Sequence, residues 1–287
     1  MKLLISLIIF FQVNGISAEF FPVEKPKIYD CFMFCNELEL LDVKLQELYP
    51  YVDRFVIVES VETHQGYDKP LYFELNKERY APFLDKITHI IVDVRLITED
   101  PWDRERFQRD EIMKGLLDCN DQDIIIIEDA DEIVRGEAIP FLVSTLMSGQ
   151  EMAVAFEQEM HYWFLNVYDK APLRKFGRYW QGSVACSYHT LKQYTPTDIR
   201  SLRFTLPCIT DGGWHFSYMG GSQRVVNKVD YLMCHTREEF YDVFHKTIDE
   251  VMNKATDFIV VPIDEDYPEF IRSNIPYFTE IGFIYTD

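Results

Sequence analysis

The chain has 287 residues, with 28 Lys and Arg against 48 Asp and Glu, giving a formal net charge of −20. A field of that sign repels nucleic acid and anionic membrane surfaces, so no nucleic-acid partner is expected. An anionic substrate would need a metal ion or a few well-placed cations to overcome the same repulsion. A composition that is 47% hydrophobic and 15% aromatic excludes the disordered class and suits one continuous α/β domain over residues 19–287.

Residues 1–18 have the layout of a secretory leader: Lys2, an apolar run from Leu3 to Val13, then small residues up to Ala18. The run falls short of the roughly 20 apolar residues a spanning helix needs. A signal peptide or short anchor is therefore expected, with export into the secretory pathway. Membrane association would come only through this segment if it stays uncleaved. Six cysteines (31, 35, 119, 186, 208 and 234) lack the paired spacing of a zinc site, and their pairing is left open.

After the leader, strand-like and helix-like pieces alternate. Ile28 to Phe34 is an apolar run suited to a central strand. Asn36 is placed to cap a helix whose Leu38, Leu41, Leu45 and Leu48 recur at helical spacing until Pro50. Phe55–Val58 predicts a second buried strand closed by Glu59, and Ile87 to Val94 a third. Trp102 to Leu117 reads as a helix, and Ile124-Ile125-Ile126-Ile127 as a fourth strand. Continuous apolar strands alternating with helices imply a mostly parallel sheet flanked by helices. The second half is less regular. Met152 to Phe156 suggests a strand, residues 169–213 are rich in turns and basic residues, and Thr236-x-x-Glu239 is a capping box opening a helix to about Ala255. The tail, with prolines at 262, 268 and 276, is expected to wrap the surface with a short helix.

Ligand sites in open α/β sheets lie beyond the carboxyl ends of the strands. There the fourth strand delivers Glu128, Asp129, Asp131 and Glu132. Asp129 and Asp131 are two residues apart, so along an extended exit both would point to one side. Hard carboxylate oxygens suit Mg or Mn, which take one or two protein carboxylates and substrate phosphates. An EF-hand loop starting at Asp129 fails, because Val134 stands where Gly is needed and Pro140 where Glu is needed. An aspartyl-phosphate enzyme would carry its triplet on the first strand with Ser or Thr close behind. Here Glu132-Ile133 follows.

The stretches Asn36–Leu48 and Val52–Ser60, with Thr63, Lys69-Pro70-Leu71-x-Phe73, Asp129-Ala130-Asp131-Glu132-Ile133 and Gly213-Trp214-His215, together resemble glycosyltransferase family 17. The resemblance covers residues 28–135 and 211–221, with an echo near Tyr267-Pro268 to Phe278. It implies a GT-A-like nucleotide-sugar-binding domain, UDP-GlcNAc as donor, and inverting transfer to a glycan or glycoprotein acceptor such as β-linked mannose. On that reading Asp129, Asp131 and His215 hold a divalent metal, Mn or Mg, with Asp129 also facing the donor. Glu59 falls near the donor uracil or ribose, or is a simple strand-end carboxylate. Arg109 is a donor-phosphate contact, or pairs with Glu105 one turn away. Trp180, Trp214 and Tyr218 are candidates for stacking on the acceptor sugar, and Asp211 or Glu159 for the catalytic base.

Two other readings compete. A sugar nucleotidyltransferase would normally carry a Gly-rich basic loop after the first strand, where this chain has Cys35-Asn36-Glu37. A non-catalytic carbohydrate-binding protein would use the aromatic surface and would not need the acidic triplet.

Overall fold

The computed structural model describes residues 25–93, 99–169, 178–232, 234 and 258–286. The leader expected over residues 1–18 and the helix expected over 236–255 lie outside them.

Four parallel strands form the first half: β1 (Ile28–Phe34), β2 (Arg54–Ser60), β3 (Ile87–Val92) and β4 (Ile124–Asp129). Parallel neighbours need crossovers. These are α1 (Leu38–Leu48), then α2 (Tyr72–Leu75) with a 3₁₀ stretch at Lys77–Lys86, then α3 (Pro101–Asp110) running into a 3₁₀ turn at Glu111–Gly115. The helix expected over Trp102–Leu117 is thus shorter and ends in a tightened turn. Its start is well specified: Pro101 occupies the first turn and the Asp100 side chain accepts from the Trp102 N–H. The start of α1 departs from expectation. Glu37, not Asn36, is the cap residue, and its carboxylate accepts from the Cys35 and Asn36 N–H groups at 3.0 Å each.

The second half contributes β5 (Glu132–Val134), α4 (Ile139–Met147), β6 (Ala153–Tyr162), β7 (Val167–Asp169), β8 (Tyr179–Ser187), α5 (Tyr188–Leu191), α6 (Pro196–Ser201) and β9 (Cys208–Ser217). After these come α7 (Ser222–Asn227), a π-helical turn at Lys228–Leu232, β10 (Phe258–Val260), α8 (Glu269–Ser273) and α9 (Ile275–Glu280). The eight-stranded sheet runs β3-β2-β1-β4-β8-β6-β9-β5, and β7 pairs with β10 separately. Parallel pairing prevails through β4. Beyond it the sheet is mixed, with β8 antiparallel to both β4 and β6 while β6 and β9 are parallel.

β1, β2 and β4 are buried on both faces, which is why they read as unbroken apolar runs. One face packs Phe32, Ile57 and Ile126 against Leu41 and Leu45 of α1. The other packs Val56, Ile125 and Ile127 against Ile112 and Ile199. A third cluster joins Ile133, Trp214 and Phe216 to the tail residues Tyr267, Ile271 and Phe278, so the tail closes over the second half of the sheet. Among the described residues no helix is long and apolar enough to cross a membrane.

Candidate active site

The four carboxylates at the end of β4 divide into two kinds. Glu128 and Glu132 are fully buried. Glu128 accepts from Ser183 Oγ at 2.6 Å and pairs with the buried Lys44, whose Nζ also donates to the Glu132 carbonyl at 2.6 Å. Burial, reinforced by the neighbouring Asp30, pushes the Glu128 carboxyl well up. Glu132 accepts from the Asp129 N–H at 3.0 Å, from Trp180 Nε1 at 2.8 Å and from both terminal nitrogens of Arg200 at 2.8 Å. Burial alone would raise its pKa, but the Arg200 guanidinium outweighs that and holds the carboxyl ionised. These two residues are struts of the β4–β5 turn.

Asp129 and Asp131 sit on that turn, and it separates them. The extended exit expected from the sequence is replaced by a reversal at Ala130, with the Asp131 carbonyl accepting from the Phe216 N–H at 2.9 Å. Asp129 faces two arginines, Arg200 Nη2 at 2.6 Å and Arg109 Nη2 at 3.2 Å. Arg109 also pairs with Glu105, so both contacts open to it in the sequence are made at once. Asp131 faces Lys228 Nζ at 2.7 Å and His215 Nε2 at 3.5 Å. Burial works against the Asp131 carboxylate, and Lys228 and His215 together hold it far below the usual range.

A metal was expected on Asp129, Asp131 and His215. Among the described residues no three His, Cys, Asp or Glu side chains converge as a ligand set. Asp131 Oδ1 and His215 Nε2 nonetheless suit one cation. Their 3.5 Å spacing is close to that of two ligands each about 2.1 Å from a shared ion. The His215 Nδ1 atom is buried without a hydrogen-bond partner, so no bond fixes the ring in another role. Asp129, with each oxygen held by an arginine, fits direct ligation less well. The residues that fit a cation here are thus a carboxylate and an imidazole, Asp131 and His215.

Strand register sorts the remaining candidates. Glu132, His215 and Met160 lie across from one another on β5, β9 and β6, and Trp180 lies across from Gln158, so all point to one sheet face. The Trp180 ring stands 5.8 Å from His215, centroid to centroid, and belongs to the site. Gly182 makes this possible, because a Cβ there would collide with the Glu132 carboxylate and the Trp180 indole nitrogen. Ile133, Trp214 and Glu159 share the opposite face. Trp214 is 2% exposed, donates to the Asp266 carbonyl at 3.0 Å and carries Arg135 over its ring, so it is core and not a sugar platform. Glu159 bonds Tyr168 Oη and Arg178 at 2.9 Å each, and a contact to buried His161 lowers its pKa to about 2. The structure does not bring it to Asp131. Asp211 pairs with Arg135 at 2.8 Å, and its side chain is 74% exposed. Tyr218, at φ 58, packs on Trp163 and under Lys228. Glu59 is fully buried and accepts from Lys69 Nζ, the Phe73 N–H and His89 Nε2 at 3.1–3.3 Å, tying the segment after β2 to the sheet.

Arg200 and Lys228 were not singled out in the sequence, and Glu132 only as one of four carboxylates at the end of the strand. Arg200 follows the capping box of Thr195 and Asp198 on α6, which places that helix, but no local pattern indicates that the guanidinium reaches the β4 turn. Lys228 carries no sequence signal at all.

Comparison with known proteins decides the family. Residues 18–269 match the model described as Glycosyltransferase family 17. The chain belongs to glycosyltransferase family 17. This family-17 chain is 29% identical over 130 residues to proteins of Rattus norvegicus and Homo sapiens, each named β-1,4-mannosyl-glycoprotein 4-β-N-acetylglucosaminyltransferase. The match covers 42% of this chain and 24% of each relative, so it spans about a quarter of their length. Among solved structures, a 4-diphosphocytidyl-2C-methyl-D-erythritol synthase aligns at 13% identity and a TM-score of 0.39, covering 66% of this chain and 90% of that one.

Proposed function

We propose that this family-17 chain is an inverting, divalent-metal-dependent glycosyltransferase. It moves GlcNAc from UDP-GlcNAc to a hydroxyl of a glycan or glycoprotein acceptor such as β-linked mannose, within the secretory pathway. The observation that carries the reading is the Asp131–His215 pair beside an arginine-held Asp129 at the carboxyl end of β4. The names of the relatives support GlcNAc and the mannosyl glycoprotein.

In this scheme the acceptor hydroxyl attacks the anomeric carbon, the bond from that carbon to the diphosphate oxygen breaks, and the hydroxyl proton passes to a carboxylate. Asp131 and His215 would hold a divalent cation, which would supply Lewis-acid neutralisation of the leaving diphosphate. Arg109 and Arg200 fix the Asp129 carboxylate. Lys228 balances Asp131, and Glu132 anchors the turn while orienting Trp180. Trp180 then offers its ring to the acceptor sugar on the same sheet face. Neither expected base is brought to the Asp131–His215 pair: Asp211 is held by Arg135, and Glu159 by Tyr168 and Arg178.

The test is a donor panel read by thermal shift with and without Mn. UDP-GlcNAc near one hundred times its Kd is expected to raise the Tm by about 5 °C, with Mn required for the full effect. No shift with any UDP-sugar in either condition would overturn the reading.

A further inference from the structure

The charges of the site are almost all paired internally. Arg109 is shared by Glu105 and Asp129, Arg200 by Asp129 and Glu132, and Lys228 is held by Asp131. In a chain of net charge −20, those pairs leave little positive field for an incoming anion.

Arg203 is different. It lies just beyond α6, and its Nη1 donates only to the Arg200 carbonyl, at 3.2 Å. Among the described residues it forms no ion pair, and its Nε is buried without a hydrogen-bond partner. The guanidinium sits 4.6 Å from the Phe204 ring centroid and 5.5 Å from that of Trp180. Trp180 in turn bonds Glu132, the strut of the acidic turn. Burial, with Arg200 beside it, pushes the Arg203 pKa down, as expected for a cation that lacks a counter-charge. α6, which leads into Arg203, is held against α3 by the Thr197 N–H, which donates to Asp110 Oδ1 at 2.9 Å.

An arginine that keeps its charge, stacks on two aromatic rings and leaves fork donors unused is prepared for a planar bidentate contact with phosphate or carboxylate. We infer that Arg203 is the anion-binding residue of this site and takes the diphosphate of the nucleotide-sugar donor. This assignment rests on the glycosyl-transfer reading and adds to it a residue from the segment between β8 and β9. The uncharged acceptor expected here gives Arg203 no comparable partner.

The experiment compares wild type, Arg203→Gln and Arg203→Lys by titration calorimetry with UDP in the presence of Mn, with inorganic pyrophosphate as a competitor. Steady-state kinetics with UDP-GlcNAc run alongside. The Gln variant is expected to keep its Tm and near-UV spectrum, to bind UDP and pyrophosphate about tenfold more weakly, and to raise the donor KM in step. Its kcat and acceptor KM stay within about threefold of wild type, and Lys recovers part of the affinity as a point charge without the fork. If wild type binds UDP and the Gln variant binds it equally well, or if only the acceptor KM moves, the assignment of Arg203 is overturned and the transfer reading stands. If wild type binds no UDP at all, the transfer reading falls and this assignment falls with it.

Discussion

Asp131→Asn is expected to lower sugar transfer by roughly 10²–10³-fold, the loss typical when a preorganised group facing developing charge is removed. The carboxylate is 7% exposed and is held ionised by Lys228 and His215. An amide keeps the shape but presents no charge to a cation and leaves Lys228 without its partner. Lys228 has a 17% exposed side chain and can turn toward water, so the fold survives the change. The expected signature is a normal far-UV spectrum, a Tm within a few degrees of wild type, and loss of the Mn-dependent part of the donor-induced shift. Transfer within threefold of wild type would remove Asp131 from the mechanism.

Arg200→Met is expected to act first on stability. The guanidinium makes two bonds to Glu132, one to Asp129 and one to the Gly182 carbonyl, and it is 5% exposed. Removing it leaves Glu132 ionisable, fully buried and supported only by Trp180 and the Asp129 N–H. Breaking one side of such a buried pair typically costs about 3–5 kcal/mol. For a chain of this size the Tm should fall by about 10 °C. The double variant Arg200→Met with Glu132→Gln should recover part of the loss, because the stranded charge goes with its partner. Arg178→Met is the control. Its pair with Glu159 is 52% exposed on the arginine side, and solvent screening should keep the effect below about 1 kcal/mol. Equal Tm changes for the two single variants would show that Arg200 is not the keystone of the acidic turn.

The parallel half of the fold was legible because its signal is local. Four consecutive isoleucines before an acidic run can be buried on both faces only in a central strand, and β4 begins at Ile124 as expected. The segment 169–213 concealed β8 and β9. β8 carries Gly182 and Ser183 among its buried positions, and the first half of β9 holds Thr210-Asp211-Gly212-Gly213, a composition that looks like a turn. Gly213, at φ +138 where an added Cβ would run into the Ile133 carbonyl oxygen, is a close backbone approach inside a strand, where sequence suggests a break. The site was half legible for a related reason. Asp131 and His215 are brought together at 3.5 Å, and Arg109 reaches Asp129 from where helical spacing puts it. Their partition into an arginine-held and a histidine-facing carboxylate depends on one reversed turn and on Arg200 and Lys228. Those residues are distant in sequence, and no periodicity announces them. Trp214 misled because glycines flank it. Gly213 pairs with Val134 within β9, Gly220 and Gly221 lie beyond the strand, and the indole packs inward.

The most direct test is transfer itself. Purified protein is incubated with radiolabelled UDP-GlcNAc, Mn and a β-mannoside-terminated glycan, and the acceptor is isolated and analysed. The account predicts a labelled acceptor carrying one added GlcNAc with inverted anomeric configuration, formed in proportion to enzyme and stopped by EDTA. Undiminished transfer in EDTA, or no labelled acceptor while UDP-GlcNAc still binds in the presence of Mn, would contradict it.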